Sequence, residues 1–294
     1  MRQVLWLPVQ FLLTCAGLFL FSAAGSLLFY DHELVIHIAK YLHTLKQIFH
    51  DILNPGSIFI TMGNEGEKTY PIFPMLLQLF GYSFLLLASA FLIAVVVSAV
   101  VSYLIMFLPK WAYRICMRVL DLFDSLPDVL IVVLLQLFII WLYKRTELLL
   151  FDIYKLGEDK IYVLPILCLS VLPIAFLIKH FLFQIREEED RPYVEYSFSK
   201  GFSKAYTLWV HLFRNVWIQF YYHIKPIFLM MLSNLLIIEI LFNINGFMYV
   251  MLATATAKPS AFFIGMLMIY IPFFIIFTIG RIFLTKTIGG ELEV

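Results

Sequence analysis

Six long apolar runs divide the chain, at residues 4–30, 76–108, 126–143, 162–184, 225–246 and 261–284. A helix needs about 20 apolar residues to cross the ~30 Å hydrocarbon layer of a bilayer. Each run approaches or exceeds that length. The pattern therefore predicts an all-α, polytopic membrane bundle of six transmembrane helices, forming one domain over residues 1–294. The second and fourth runs are longer than the minimum and are expected to tilt or to extend beyond the lipid. The first run follows a single charge, Arg2, and outlasts the apolar region of about 7–15 residues found in signal peptides, so it is expected to be a retained membrane helix.

Two polar stretches interrupt this pattern. Between the first two spans, over 31–75, Ile38, Leu42, Leu45, Phe49 and Ile52 recur at three- to four-residue spacing, while His43, Lys46, Gln47 and His50 take another face. This is an amphipathic helix, ended by Asn54-Pro55-Gly56 and expected to lie on the membrane or on the outer end of the bundle. Between the fourth and fifth spans, over 185–224, Asp190 and Pro192 can open a helix that runs through Tyr196 and ends near Gly201. Ser203 can cap a second helix, whose apolar stripe is Trp209, Leu212, Phe213, Val216, Trp217 and Phe220.

Composition agrees with a membrane protein. The chain is 62% hydrophobic and 14% charged with a mean hydropathy of +0.91, against about half apolar and a quarter charged in soluble domains. The net charge of +1 suggests no nucleic-acid partner. With the N-terminus inside, 13 of the 21 Lys and Arg residues fall on the cytoplasmic side and 8 outside. That bias predicts a multi-pass protein of the cytoplasmic (inner) membrane with both termini in the cytoplasm.

Little in the chain looks catalytic. Cys15, Cys116 and Cys168 are far apart and form no C-x-x-C pair, which suggests small buried hydrophobes. His32-Glu33-Leu34-Val35-Ile36-His37 has one residue too many for a zinc-protease helix, which needs both histidines on one face. No serine, cysteine or histidine is set up as a nucleophile, no metal site is indicated, and no G-x-x-x-x-G-K-[ST] phosphate loop exists. Asp121, Asp124 and Asp128, at i, i+3 and i+7, can hold a cation or can mark the interface by pairing with Arg114 or Arg118; the second reading is favoured. The run Glu187–Asp190 is expected to be solvated or to face a basic patch on a partner. Glu239 is the single acidic residue in the apolar part of the fifth span; it either lines a translocation pathway, with Phe242 and Asn243 beside it, or serves structure near the outer interface.

The second polar stretch reads Arg191-Pro192-Tyr193-Val194-Glu195-Tyr196-Ser197-Phe198-Ser199-Lys200-Gly201, then His211-Leu212-Phe213-Arg214-Asn215 nine residues on. It resembles the cytoplasmic EAA loop of binding-protein-dependent ABC importer permeases, and within them the oligopeptide/dipeptide/nickel group. Glu195 and Gly201 have the EAA spacing; Tyr193, Val194, Lys200, Gly201, His211, Arg214 and Asn215 match the subgroup's pattern. Glu239-Ile240-Leu241-Phe242-Asn243-Ile244-Asn245-Gly246 is similar to a Glu-x-x-Phe…Gly segment of the same family. The chain departs from the pattern at Tyr196 and Ser197, which replace the two alanines, and at Asn245, which replaces a proline. The Gly-Asp-Pro after span one and the Asp-Pro-Arg after span six are missing, and Gln219 stands about where a proline is expected.

The resemblance implies a type I ABC importer permease fold and a permease subunit that forms half of a pathway, for peptides by resemblance and for nickel or other metal chelates as the alternative. A non-transporting scaffold or signalling relative is the reading from another class. The resemblance further implies that Tyr193, Glu195, Tyr196, Phe198, Lys200, Gly201, Phe202, Lys204, His211 and Arg214 couple the chain to ATPases. It implies a second permease, homologous or identical, two ATPase subunits carrying ATP and Mg, and an external substrate-binding protein. No cofactor is expected in this chain.

Overall fold

The computed structural model describes residues 6–31, 33–62, 68–147, 151–155, 157 and 159–287. Val4 and Leu5 of the first expected span, His32 of the protease-like hexapeptide and the side chain of Trp217 lie outside what is described.

The helices are α1 (Leu7–Ser22), α2 (Ile38–Leu53), α3 (Ile72–Ile105), α4 (Lys110–Ser125), α5 (Asp128–Thr146), α6 (Val163–Glu189), α7 (Pro192–Ser199), α8 (Lys204–Tyr206), α9 (Phe213–Leu241), α10 (Phe247–Ala257) and α11 (Pro259–Thr287). Two antiparallel ribbons, β1 (Leu28–Asp31) with β2 (Glu33–Ile36) and β3 (Phe59–Met62) with β4 (Lys68–Pro71), interrupt them. Among the described residues, six segments are long and apolar enough to cross a membrane: Leu7–Ser26, Ile72–Ile105, Asp128–Thr146, Val163–Glu189, His223–Leu241 and Pro259–Ile282. Among the described residues the ribbons are the only strands in an otherwise helical chain. By its contacts the chain divides into two units, Met1–Ser83 with Asn245–Val294, and Phe84–Ile244.

In the first unit, α1 packs on α11 through Phe11, whose ring stacks 5.6 Å from Tyr270 and lies 5.1 Å from Phe274. The α2 helix packs by Leu45, Ile48 and Ile52 against Ala23 and Phe263, and the Tyr41 hydroxyl donates to the Leu20 carbonyl at 3.0 Å. Of the expected stripe, Ile38, Leu42 and Phe49 are exposed instead. The apolar arc of α2 is wider than one packed line: Leu45 and Ile52 of the stripe make the contact together with Ile48 and Tyr41, and the other edge of the arc stays exposed. Ile58, just before β3, and Ile60 within it bury against Ile72, Leu76, Phe247, Val250, Met251 and Ala261. The backbone N–H of Phe247 donates to Ser83 Oγ at 2.9 Å. Helix α11 approaches α10 at Gly265, where an added Cβ would fall 1.9 Å from Met251 Sδ.

In the second unit, α6 is the most enclosed span and pairs with α9. Its neighbour α4 runs antiparallel to its last turns: Lys179 Nζ donates to Asp121 at 2.8 Å and to Asp124 at 2.5 Å, and the Arg186 guanidinium lies 3.9 Å from the Tyr113 ring centre. Lys179 therefore takes the place expected for Arg114 or Arg118. Asp128 does not join Asp121 and Asp124, because Leu126 and Pro127 adopt extended backbone and end α4 before it. Asp128 instead borders a small cavity of about 10 Å³ with Cys168 and Asn234.

Residues 204–241 form one continuous helical rod: α8, a π-helical segment over Thr207–Leu212, then α9. Sequence reasoning divides this rod into a cytoplasmic helix and a span. No residue between them breaks the helix, and Pro226 is absorbed within it. Membrane helices tolerate an internal proline when neighbours satisfy the freed carbonyl.

Candidate functional site: the loop joining α6 to α9

Helix α7 begins where Arg191 is extended and Pro192 supplies a preset φ with no N–H to leave unpaired. It ends in a Schellman motif. Gly201 N–H donates to Phe198 O at 2.9 Å and Phe202 N–H to Ser197 O at 3.3 Å, with Gly201 at φ +81°. That left-handed turn reverses the chain at a position where a side chain costs energy. Ser203 then caps α8, its Oγ accepting from the Tyr206 N–H at 3.3 Å.

The short helix has two unlike faces. Val194 and Ser197 are buried, and the Ser197 and Thr207 hydroxyls lie 2.8 Å apart. Glu195, Tyr196, Phe198, Lys200 and Phe202 are exposed, Tyr196 by 62%. Lys200 Nζ sits 4.4 Å from the Tyr196 ring centre. Phe202 stacks on Tyr206 at 4.7 Å, and His211, half-buried, meets the Tyr206 ring edge-on at 5.8 Å. Arg214 is exposed on the rod beyond. Aromatic anchors flanked by one carboxylate and one ammonium are the ingredients of a protein-docking surface.

Two devices fix this helix to the spans. Tyr193 donates its hydroxyl to Glu188 Oε2, Asn215 Nδ2 donates to the same carboxylate at 3.3 Å and to the Tyr193 oxygen at 3.2 Å, and Gln219 Nε2 reaches Glu188 Oε1 at 3.2 Å. Burial and the Glu188 carboxylate push the Tyr193 phenol up to about 12, against the Asn215 hydrogen bond that lowers it. Lys204 Nζ donates to Met106 O at 2.6 Å, placing an ammonium on the carbonyl end of α3 where the helix dipole is negative. Tyr193 thus turns inward and Lys204, though exposed, is tied by its ammonium to the end of α3, whereas Glu195, Tyr196, Phe198, Lys200 and Phe202 point out.

The second candidate group lies at the other end of α9. Glu239 and Phe242 are fully buried. Asn243 is exposed with φ 53°, and its Nδ2 donates to Lys155 O at 3.4 Å while the Lys155 N–H donates to Phe242 O at 3.1 Å.

A family model described as the binding-protein-dependent transport system inner membrane component matches residues 94–288. The chain belongs to this family. A comparison with curated proteins finds no match.

Members of the binding-protein-dependent transport family are permease components of transporters and are not themselves enzymes. With six apolar spans, this permease component is an integral membrane protein, and its fold fits the type I ABC permease class. Membership implies assembly with ATPase and binding-protein partners. Sequence reasoning missed Glu188. It stands in the acidic run that is expected to be solvated, yet it is only 6% exposed. The available signal is a pair of polar ladders, His180, Gln184 and Glu188 on α6 and Asn215, Gln219 and His223 on α9, each at i, i+4 and i+8. They face each other: the rings of His180 and His223 lie 3.8 Å apart, and Gln219 and Asn215 reach Glu188.

Proposed function

We propose that this chain is the transmembrane permease subunit of an ATP-driven importer, forms half of its translocation pathway, and takes peptides as substrate. The observation that carries the coupling role is the two-faced helix α7, clamped to the spans by Tyr193, Ser197 and Lys204 while Glu195, Tyr196, Phe198, Lys200 and Phe202 face outward. A short helix held rigidly at its roots transmits force; a loop tethered only at its ends does not. The ATPase subunits, which bring ATP and Mg, dock on that outward face in the cytoplasm, and their closure moves α7 together with α6 and α9. A second permease, homologous or identical, completes the pathway, and an external binding protein delivers the substrate. Peptides are favoured by the run Tyr193-Val194…Lys200-Gly201…His211…Arg214-Asn215. Glu239, Phe242 and Asn243 belong to the pathway; the burial of Glu239 and Phe242 corresponds to its closed state, while Asn243 is exposed beside them.

The test is affinity purification of the chain from its native membrane in mild detergent, beside Glu195→Arg. ATPase subunits are expected to copurify with the unaltered chain and to be released by the charge reversal. Equal recovery with both proteins removes α7 as the docking element, and absence of any ATPase removes the importer reading.

A further inference from the structure

We propose that a cleft beside the coupling loop binds the phosphate of an anionic membrane lipid. The cleft, about 590 Å³, is bordered by Lys110, Arg114, Arg186 and Lys204, with Tyr113 and a single carboxylate, Glu189. Its size suits a lipid headgroup. Among the described residues none of the four cations is neutralised by a carboxylate, in contrast to Lys179, which is held by Asp121 and Asp124; Lys204 Nζ is bonded to the Met106 carbonyl, Arg114 Nε to the Lys110 carbonyl, and Arg186 lies over the Tyr113 ring, contacts that leave each charge in place. Four cations against one carboxylate leave a recess of net positive charge, and arginine forks with lysine point charges are the groups that hold phosphate.

Depth in the bilayer selects lipid as the occupant. Helix α6 begins at Val163, and about 20 residues cross the hydrocarbon layer. That count ends near Leu182; the next residue, Phe183, is 60% exposed. Arg186 stands four residues past Leu182, roughly 6 Å further along the helix, at headgroup level. The remaining wall is apolar, made by Ile105, Met106 and Leu108 at the end of α3, and can receive the first acyl carbons. Helix α4, which contributes Lys110 and Arg114, also exposes Trp111, Ile115, Val119 and Leu122. These four, at i, i+4, i+8 and i+11, form one apolar stripe led by a tryptophan, the side chain enriched at membrane interfaces. The aromatic face of α7 is a different surface, so the lipid site stands whether or not the coupling role does.

The full chain is placed in nanodiscs of phosphatidylcholine alone or with phosphatidylglycerol, and retained lipid is counted by native mass spectrometry alongside thermal unfolding. Phosphatidylglycerol is expected to be retained and to raise the unfolding temperature. Retention is expected to fall roughly fivefold for each cation removed in Lys110→Gln/Arg114→Gln, to recover in Arg114→Lys, and to be unchanged in Arg118→Gln, which removes a charge from the same helix outside the cleft. Unchanged retention in the double variant overturns the proposal. So does equal stabilisation by inorganic phosphate in phosphatidylcholine discs, which makes the ligand a free anion. Loss of ATPase recovery with lipid retention intact makes the cleft a protein contact and equally overturns it.

Discussion

Glu188 and Glu187 are adjacent carboxylates with opposite fates. Glu187 faces solvent, while Glu188 accepts from Tyr193, Asn215 and Gln219. Removing an acceptor that three half-buried donors share leaves the Tyr193 hydroxyl and Gln219 Nε2 without it, while Asn215 keeps its bond to the Tyr193 oxygen; losing such partners costs about 1–3 kcal/mol. Glu188→Ala is therefore expected to lower the thermal stability of the purified chain by that amount, and Glu187→Ala to change it by less than about 0.5 kcal/mol; equal effects place Glu188 in solvent. Tyr193 gives a pH dependence. Its phenol is held up at about 12 in the fold against an ordinary 10.0, by burial first and then by Glu188. The folded state thus favours the protonated phenol. The stability this contributes is complete below pH 10, falls as the pH rises above it, and is gone once the folded group ionises. At about pH 11, between the two values, the phenolate absorbance of the native protein is expected to match that of Tyr193→Phe. A phenolate signal missing from the variant shows that Tyr193 titrates as an ordinary tyrosine.

At the scale of elements, the decisive piece is the α7–Gly201–α8 turn. Gly201 combines a φ of +81° with an N–H bonded to Phe198 O. Proline can supply neither, since its ring fixes φ near −65° and removes the donor. Gly201→Pro is expected to leave membrane insertion intact, because the spans are untouched, while transport loses its response to ATP; normal ATP-driven uptake by this variant contradicts coupling through α7. This turn is legible in the sequence because its signals are local: Pro192 opens the helix, Gly201 closes it and Ser203 starts the next. The six spans are legible for the same reason, each being set by its own apolar length. What the sequence conceals depends on partners distant in the chain. The inward turn of Glu188 needs Asn215 and Gln219 from α9. The substitution of Lys179 for Arg114 or Arg118 as the partner of Asp121 and Asp124 needs the antiparallel packing of α4 on α6. The separation of Asp128 follows from Pro127, which is in plain view but is outweighed by the i, i+3, i+7 spacing. The two ribbons over 28–71 lack strict alternation and remain hidden.

Across the whole molecule, the family match begins at residue 94, so α1, both ribbons, α2 and the first part of α3 precede the portion shared across the family. The matched portion holds both the loop proposed to couple to the ATPases and Glu239, joined by one continuous rod from Lys204 to Leu241. A rod that begins at the proposed ATPase-docking face and ends at a buried carboxyl can carry a displacement from one to the other without a hinge, apart from the π-helical segment at Thr207–Leu212, the kind of irregularity often found at functional positions. If Glu239 lines the pathway, as proposed, an alternating-access cycle brings it to water or substrate once per turnover. An ionisable group in the bilayer region is costly to keep, so its presence there marks a pathway unless structure alone requires it. Glu239→Gln keeps the size and a hydrogen-bonding capacity but removes the ionisable group. In proteoliposomes holding the complete complex, peptide uptake by this variant is expected to fall roughly tenfold, the scale of one lost charge-assisted contact, while the ATPase subunits remain bound. Uptake at the unaltered rate assigns Glu239 to structure and moves the pathway away from this segment. Loss of the ATPases together with uptake shows instead that the substitution disrupts the rod itself.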